Sequence, residues 1–305
     1  MSMFGLVCAV MSAVAFAAND TALRRGILFA SVYKSIIVTV PIGLPVFLLA
    51  ITLTNSWSGF RALDPAQFLF FGSAGIIHFI FGRYFGYKTI ESVGATQAGP
   101  IVQLGLLISV FFAYHLFDEE ITNTHIIAIF LIILAPMIIL LGHEGDKFTR
   151  SGIEMKYKAG LFWGLSCAIC YGISPLLVKS GFSNYSLEIT ILAGFISYIS
   201  AIFSLILIMT FTRVRIRDVI EMDKSALKWF TITGFLGSSA QLLRYIALGL
   251  IPISIVEPIH RTSVIFRVVF GFIINRNHEI INLRVLLGVA LSIIGMYLLI
   301  LQIDF

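Results

Sequence analysis

Ten stretches of about twenty predominantly apolar residues follow one another along this chain, separated by little more than short polar punctuation. A helix needs roughly 20 such residues to cross a hydrocarbon core about 30 Å thick. Inside lipid every backbone N–H and C=O must find a partner within the protein, so helices and closed barrels are the spanning solutions. The stretches are approximately 4–22, 33–53, 66–87, 93–116, 124–142, 158–178, 187–211, 227–249, 252–274 and 283–302. Between them stand Arg24 and Arg25, Trp57 to Asp64, Lys88 to Ser92 and Asp118 to Glu120, and the longest polar segment, Gly142 to Lys158, divides the chain near its midpoint. The expected fold is an all-α polytopic membrane protein with ten transmembrane helices. Charged residues make up 12% of the chain, about half the usual share, which excludes a cytosolic enzyme, a nucleic-acid-binding module and a disordered protein.

The two halves repeat. FGLVCAVMSAVAFAANDTALRRG at 4–26 aligns without gaps to AGLFWGLSCAICYGISPLLVKSG at 159–181, with Gly5/Gly160, Leu6/Leu161, Ala13/Ala168 and Gly26/Gly181 identical and Phe16/Tyr171 and Arg24/Lys179 conservative. Further on, Arg83-Tyr84 matches Arg244-Tyr245, Pro100 and Pro258 interrupt the fourth and ninth stretches, and Glu120-Ile121 and Glu279-Ile280 precede the two terminal helices. The expected organisation is a first five-helix repeat at 1–145, a polar loop at 146–157 and a second repeat at 158–305. An odd number of spans per repeat sends the second into the membrane from the opposite side, and such inverted repeats recur in secondary transporters with the substrate near the midplane. Ala15-Phe16-Ala17 resembles a signal-peptidase site, yet no Lys or Arg precedes it and the second repeat carries the matching segment, so 4–22 reads as a retained helix.

At this level the chain resembles the drug/metabolite transporter superfamily, and within it the EamA-type permeases. The likeness rests on a small-residue first helix, a GRYFGYKTI-type helix end, a Pro-bearing helix, an acidic turn and a Gly-rich final helix in each repeat. It is strongest in VGATQAGPIVQLGLLISVFFAYHLFDEEITNTHIIAIFLIILAP and SIVEPIHRTSVIFRVVFGFIINRNHEIINLRVLLGVALSIIG. The family's Gly-Glu pair at the end of the fourth helix is replaced here by Asp118-Glu119-Glu120 and His278-Glu279. The resemblance implies a permease for a small metabolite and leaves the substrate open.

The ninth stretch carries Glu257, His260, Arg261 and Arg267 between Pro252 and Ile274. At about 100° per residue all four fall on one face roughly 120° wide. A charged residue at a helix centre costs ~2.5–3.5 kcal/mol on the insertion scale, so this helix is marginal alone in lipid and its charged face must meet a polar cavity or paired groups. One reading is a substrate-binding wall; the other is an internal Glu257–Arg261 pair with Arg267 reaching toward the helix end. Gln97, Gln103 and His78 complete the candidate substrate-binding set, Pro100 and Pro258 are candidate helix breaks, and Arg83 and Arg244 read as interfacial anchors. Two arginines against Glu257 favour an anionic or zwitterionic solute, and Glu257 is the candidate carrier of a coupling proton.

Gly82-x-x-x-Gly86 and Gly160-x-x-x-Gly164 suit close helix packing. Cys8, Cys167 and Cys170 read as small buried hydrophobes. His115, Asp118, Glu119, Glu120 and His125 read as a solvated loop rather than a metal site, and no nucleotide-binding or hydrolase motif occurs. Loops following odd-numbered stretches hold sixteen Lys or Arg, Arg24 and Arg83 among them, against Arg61, Lys179 and Arg244 opposite. That asymmetry puts both termini outside the cytoplasm. The expected protein is a secondary transporter moving a small polar solute by alternating access, without cofactor, metal or catalytic residues. Its expected setting is the lipid bilayer of a bacterial inner membrane, with a homodimer as a further option and no nucleic-acid partner. The alternative is a flippase for lipid-linked or phospholipid substrates on the same fold.

Overall fold

The computed structural model describes residues 3–108, 111–112, 123–141, 148–182, 186–212, 217, 219, 221–251, 256 and 259–300. The first half contains α1 (Met3–Gly26), α2 (Val32–Thr39), α3 (Gly43–Leu53), a 3-10 segment (Ser56–Ala62), α4 (Pro65–Gly75), a π-helical segment (Ile76–Gly82), α5 (Arg83–Gln103) and α6 (Asn123–Leu141). The second contains α7 (Tyr157–Ser180), α8 (Leu187–Phe211), α9 (Lys224–Leu250), α10 (Ser263–Ile274) and α11 (Leu283–Ile300). Among the described residues no strand forms beyond one isolated bridge, Phe148 with Glu154.

Among the described residues five stretches are long and apolar enough to cross a membrane: Met3–Gly26, Val32–Leu53, Pro65–Ile108, Tyr157–Ser180 and Leu187–Phe211. The chain is therefore an integral, multi-pass, all-helical membrane protein. The remaining expected spans are represented by shorter or more polar helices, and the second and ninth stretches are each broken. The second stretch breaks around Pro41, between α2 and α3, where Gly43 and Leu44 donate three residues back to Val40 and Pro41. The ninth stretch breaks at Thr262, whose backbone N–H donates to Ile259 and whose carbonyl accepts from Ile265. The single continuous face expected for 252–274 is thus two helical pieces, with His260 and Arg261 before the break and Arg267 after it.

The fourth stretch departs most from expectation. Helix runs straight through the polar Lys88–Ser92, and the break comes at Gly94, with φ 81° and ψ 164°. Only glycine adopts that conformation without strain. Pro100 lies inside the helix that restarts after Gly94, so the expected break at Pro100 is displaced by two turns; Pro258 and Glu257 lie outside the described residues, as do His115 and the acidic turn 118–120. A proline removes one N–H and crowds the carbonyl four residues back, but supplies no partner for the groups it frees. At Gly94 a partner from the other repeat receives the freed groups, as described below.

Corresponding helices of the two halves exchange partners: α1 packs on α9, α5 packs on α7, and α6 packs on α11. Gly5, Ala9, Ala13 and Ala17 are buried at four-residue intervals along α1, the spacing that lets two backbones approach. A Cβ on Gly5 would lie 2.9 Å from Leu250 Cβ, and one on Gly26 2.5 Å from Phe230, so α1 and α9 run antiparallel in contact along their length. Both Gly-x-x-x-Gly pairs serve the α5–α7 seam within one chain. Gly82 and Gly86 admit Tyr171 and Cys167, while Gly160 and Gly164 admit Val93 and Ile101.

Candidate functional site

The helices converge on a central cavity of about 60 Å³, measured as space open to water centres. That is several times the roughly 10–15 Å³ needed to admit one water. Both repeats contribute. Phe16, Asn19 and Asp20 come from α1, His78 from the π-helical segment, Arg83, Tyr87 and Gln103 from α5, Tyr171 from α7, Gln241 and Arg244 from α9, and His260, Arg261 and Arg267 from the broken ninth stretch. A π-helical turn widens the helix and often marks a functional site; here it carries His78.

Charge dominates the lining. Four guanidinium groups, Arg83, Arg244, Arg261 and Arg267, face one described carboxylate, Asp20. Arg267 Nη2 lies 2.7 Å from Asp20 Oδ2, and Asn19 Nδ2 donates to the other Asp20 oxygen at 2.8 Å. Arg83 donates from Nη2 to the Tyr198 hydroxyl at 3.1 Å and sits over the Phe79 and Tyr198 rings, 5.1 and 5.8 Å from their centroids. Those rings hold the cation by their negative faces. On the insertion scale four arginines at membrane depth cost ~10–14 kcal/mol together, so the fold can carry them only around a polar space with anionic company.

The neutral groups are as closely placed. The His78 ring stacks on Tyr171 at 4.4 Å, with Nδ1 2.7 Å from Ser174 Oγ and Nε2 2.5 Å from Gln241 Nε2. Gln103 Nε2 donates to the Arg261 carbonyl at 2.8 Å, bracing the chain just before the Thr262 break. His260 meets Phe16 edge-on at 4.6 Å, and both its ring nitrogens are buried with no hydrogen-bond partner.

One helical turn beyond Asp20 on α1 lies Arg24. Arg24 is 1% exposed. Its Nη1 donates to the carbonyls of Ile90 and Glu91, the last turn before the Gly94 break, and its Nη2 donates to the His278 carbonyl. Glu279 accepts from the N–H groups of Ala95 and Thr96, at 2.7 and 3.2 Å, where the helix restarts. Its Oε1 is 3.8 Å from Arg24 Nε. A cation thus caps the carbonyl end of one half-helix and an anion caps the amide end of the next, each at the end its charge complements. Burial pushes the Glu279 carboxyl above the usual range, against the opposing pull of Arg24 and the two amides. Ser151 joins the same end of the molecule, bonding the Asn277 carbonyl and His278 Nδ1.

Of the residues expected from sequence, His78, Gln103, His260, Arg261 and Arg267 meet in the cavity. Gln97 does not: it is buried beside the clamp, donating to the Ile280 carbonyl at 3.3 Å. Arg83 and Arg244, expected as interfacial anchors, are 6% and 5% exposed and line the cavity. Their matched positions in the two repeats were the available signal, since equivalent residues of intertwined repeats approach a common axis. Asp20 carries no signal in the sequence, where it is one acid at the end of an apolar run. Arg24 and Arg83, counted with the loops, are interior.

A sequence profile of the EamA-like transporter family matches residues 3–141 and again 158–301. The chain belongs to that family. No curated protein matches the chain at a significant level. A solved crystal structure aligns over 97% of this EamA-like chain and 95% of its own, with a TM-score of 0.61 at 17% identity, a likeness of fold. The family assigns the chain to the membrane transporters of the drug/metabolite superfamily.

Proposed function

We propose that this EamA-like protein is a secondary transporter that binds a small anionic or zwitterionic solute in the central cavity and exposes it to each side of the membrane in turn. The observation that carries the reading is the convergence of Arg83 and Arg244, matched residues of the two repeats, with Arg261 and Arg267 on one cavity. Intramembrane ionisable residues mark substrate or ion pathways by default. The exchanged packing of α1 on α9 and α5 on α7 supports an inverted-repeat, rocking mechanism. The Arg24–Glu279 clamp ties α1, both halves of α5 and the loop before α11 together, linking the two repeats that such a mechanism would move against each other. Asp20, whose protonation would release Arg267 to the solute, is a second carboxylate for proton coupling beside Glu257, which lies outside the described residues.

Counterflow of radiolabelled small anions and amino acids in proteoliposomes tests the reading. Accumulation of label against a preloaded unlabelled pool is expected, and it is expected to fall at least tenfold in Arg83→Gln protein. Translocation of labelled lipid headgroups in solute-free vesicles, with no solute counterflow, would replace this reading by a flippase.

A further inference from the structure

Resting on the reading of the cavity as the transport site, we infer that the solute is a small carboxylate that also carries hydroxyl donors, a hydroxy acid rather than a plain monocarboxylate. Polar atoms of residues on the cavity wall are left without partners inside the protein, and they are of both kinds, acceptors and donors. Gln103 is 3% exposed, and its Nε2 donates to the Arg261 carbonyl at 2.8 Å. A carbonyl only accepts, so the nitrogen end of this amide is the bonded one, and the free end, Oε1, is an acceptor. Gln241, 1% exposed, is held at one end of its amide by His78 Nε2, and its Oε1 too is buried and unbonded. On the donor side, Arg267 Nε is buried without a partner, while its Nη2 is taken by Asp20. His260 adds both ring nitrogens, one a donor and the other an acceptor in the neutral ring.

A bare anion answers half of this wall. Its oxygens accept from Arg267 and from Arg83, whose described partners, the Tyr198 hydroxyl and two ring faces, include no anion. It has nothing to offer Gln103 and Gln241. A hydroxyl beside the carboxylate supplies the missing donor, and two hydroxyls supply one for each amide. An ammonium would donate as well, but the open amide acceptors are neutral, and a full charge loses more on leaving water than a hydroxyl does. About 60 Å³ keeps the solute small enough to meet several of these groups at once. Where a site is built to bond a hydroxyl, the analogue lacking it is rejected by as much as ~10⁴–10⁵. Water returning to the same atoms softens that loss.

The test uses the full-length protein in proteoliposomes loaded in turn with radiolabelled glycerate, lactate, propionate and alanine, each exchanged against the same unlabelled probe and corrected for leakage from protein-free vesicles. Glycerate and lactate are expected to reach half-maximal exchange at concentrations at least tenfold below propionate, with alanine behind both. The same order is expected in the ligand-induced rise of melting temperature of purified wild-type protein, which needs no variant to fold. In Gln103→Met protein that shows its own melting transition, the advantage of glycerate over propionate is expected to shrink about tenfold. If propionate exchanges as well as glycerate and lactate, or alanine exchanges while neither hydroxy acid does, the inference is overturned and the transporter reading stands. If none of the four probes exchanges or stabilises the protein, while labelled lipid headgroups cross, the inference and the reading fall together.

Discussion

The Asp20–Arg267 contact, 2.7 Å long with side chains 14% and 12% exposed, sets the anion's access to one of the four cavity arginines. Asp20→Asn removes an internal competitor for Arg267 and at the same time strands a buried cation. The expected outcome is a lower melting temperature without solute, since breaking a buried pair costs about 3–5 kcal/mol, together with a larger stabilisation by an anionic solute than wild type shows. A thermal titration reads both. His278, in the loop before α11, offers a pH test. Burial first, then Arg25 and Arg24, hold its pKa below the ordinary 6.5. The unfolded chain takes up a proton near that value which the folded loop resists until lower pH, so this site's contribution is full above about 6.5 and falls as pH drops below it. Melting temperatures of His278→Gln protein are expected to decline less than wild type between pH 7 and pH 5.

At the scale of elements, the break in α5 is the feature on which the clamp depends. Gly94 has φ 81°, and a Cβ there would run into the Glu279 carboxylate. Gly94→Ala therefore combines backbone strain of about 1–3 kcal/mol with displacement of the group that caps Ala95 and Thr96. A loss of at least ~2 kcal/mol is expected from denaturant or thermal unfolding. Glu279→Gln keeps the shape but presents an amide N–H to Arg24 and loses one of the two accepted amide bonds. Its expected cost is about 3 kcal/mol, and Arg24→Met in the same background is expected to recover part of it, because the stranded cation goes as well. A double-mutant cycle measures that coupling. The α5–α7 seam is less forgiving: Gly164→Leu would drive a side chain into Ile101 and Thr89, and no folded protein is expected from it.

For the whole molecule, the interior positions of Arg24, Arg83 and Arg244 alter the loop-charge comparison. Without them the tally is fourteen Lys and Arg against two, and the asymmetry keeps its sign. The termini are accordingly expected on the non-cytoplasmic side, with the segment around Arg150 facing the cytoplasm. Gly152, with φ 78°, is a strained place for a reporter cysteine, whereas Arg150 is exposed. Single cysteines at Ser2 and Arg150, in protein lacking Cys8, Cys167 and Cys170, are expected to differ in reaction with an impermeant thiol reagent, Ser2→Cys alone labelling in intact cells. Labelling of Arg150→Cys alone would reverse the orientation.

The sequence by itself determined that the chain lies in a membrane, that it is helical and that its halves are related, because apolar length, missing surface charge and residue-for-residue likeness are local properties. It also marked His260, Arg261 and Arg267, since charge within an apolar run requires a polar destination whatever the rest of the fold does. Only the tertiary structure decided what that destination contains. Asp20 becomes the partner of Arg267, and Glu279 the cap of Ala95, through contacts between residues far apart in the chain. Sequence placed the fourth-helix break at Pro100 because a proline's missing N–H is visible locally. The helix breaks at Gly94 instead because there a cation and an anion from α1 and the second repeat stand ready to take the freed carbonyls and amides. Arg83 and Arg244 follow the same logic: an arginine near a helix end reads as an anchor until the exchanged packing of the repeats turns it inward, and burial within a shared cavity is a property of the assembled bundle, not of any one helix.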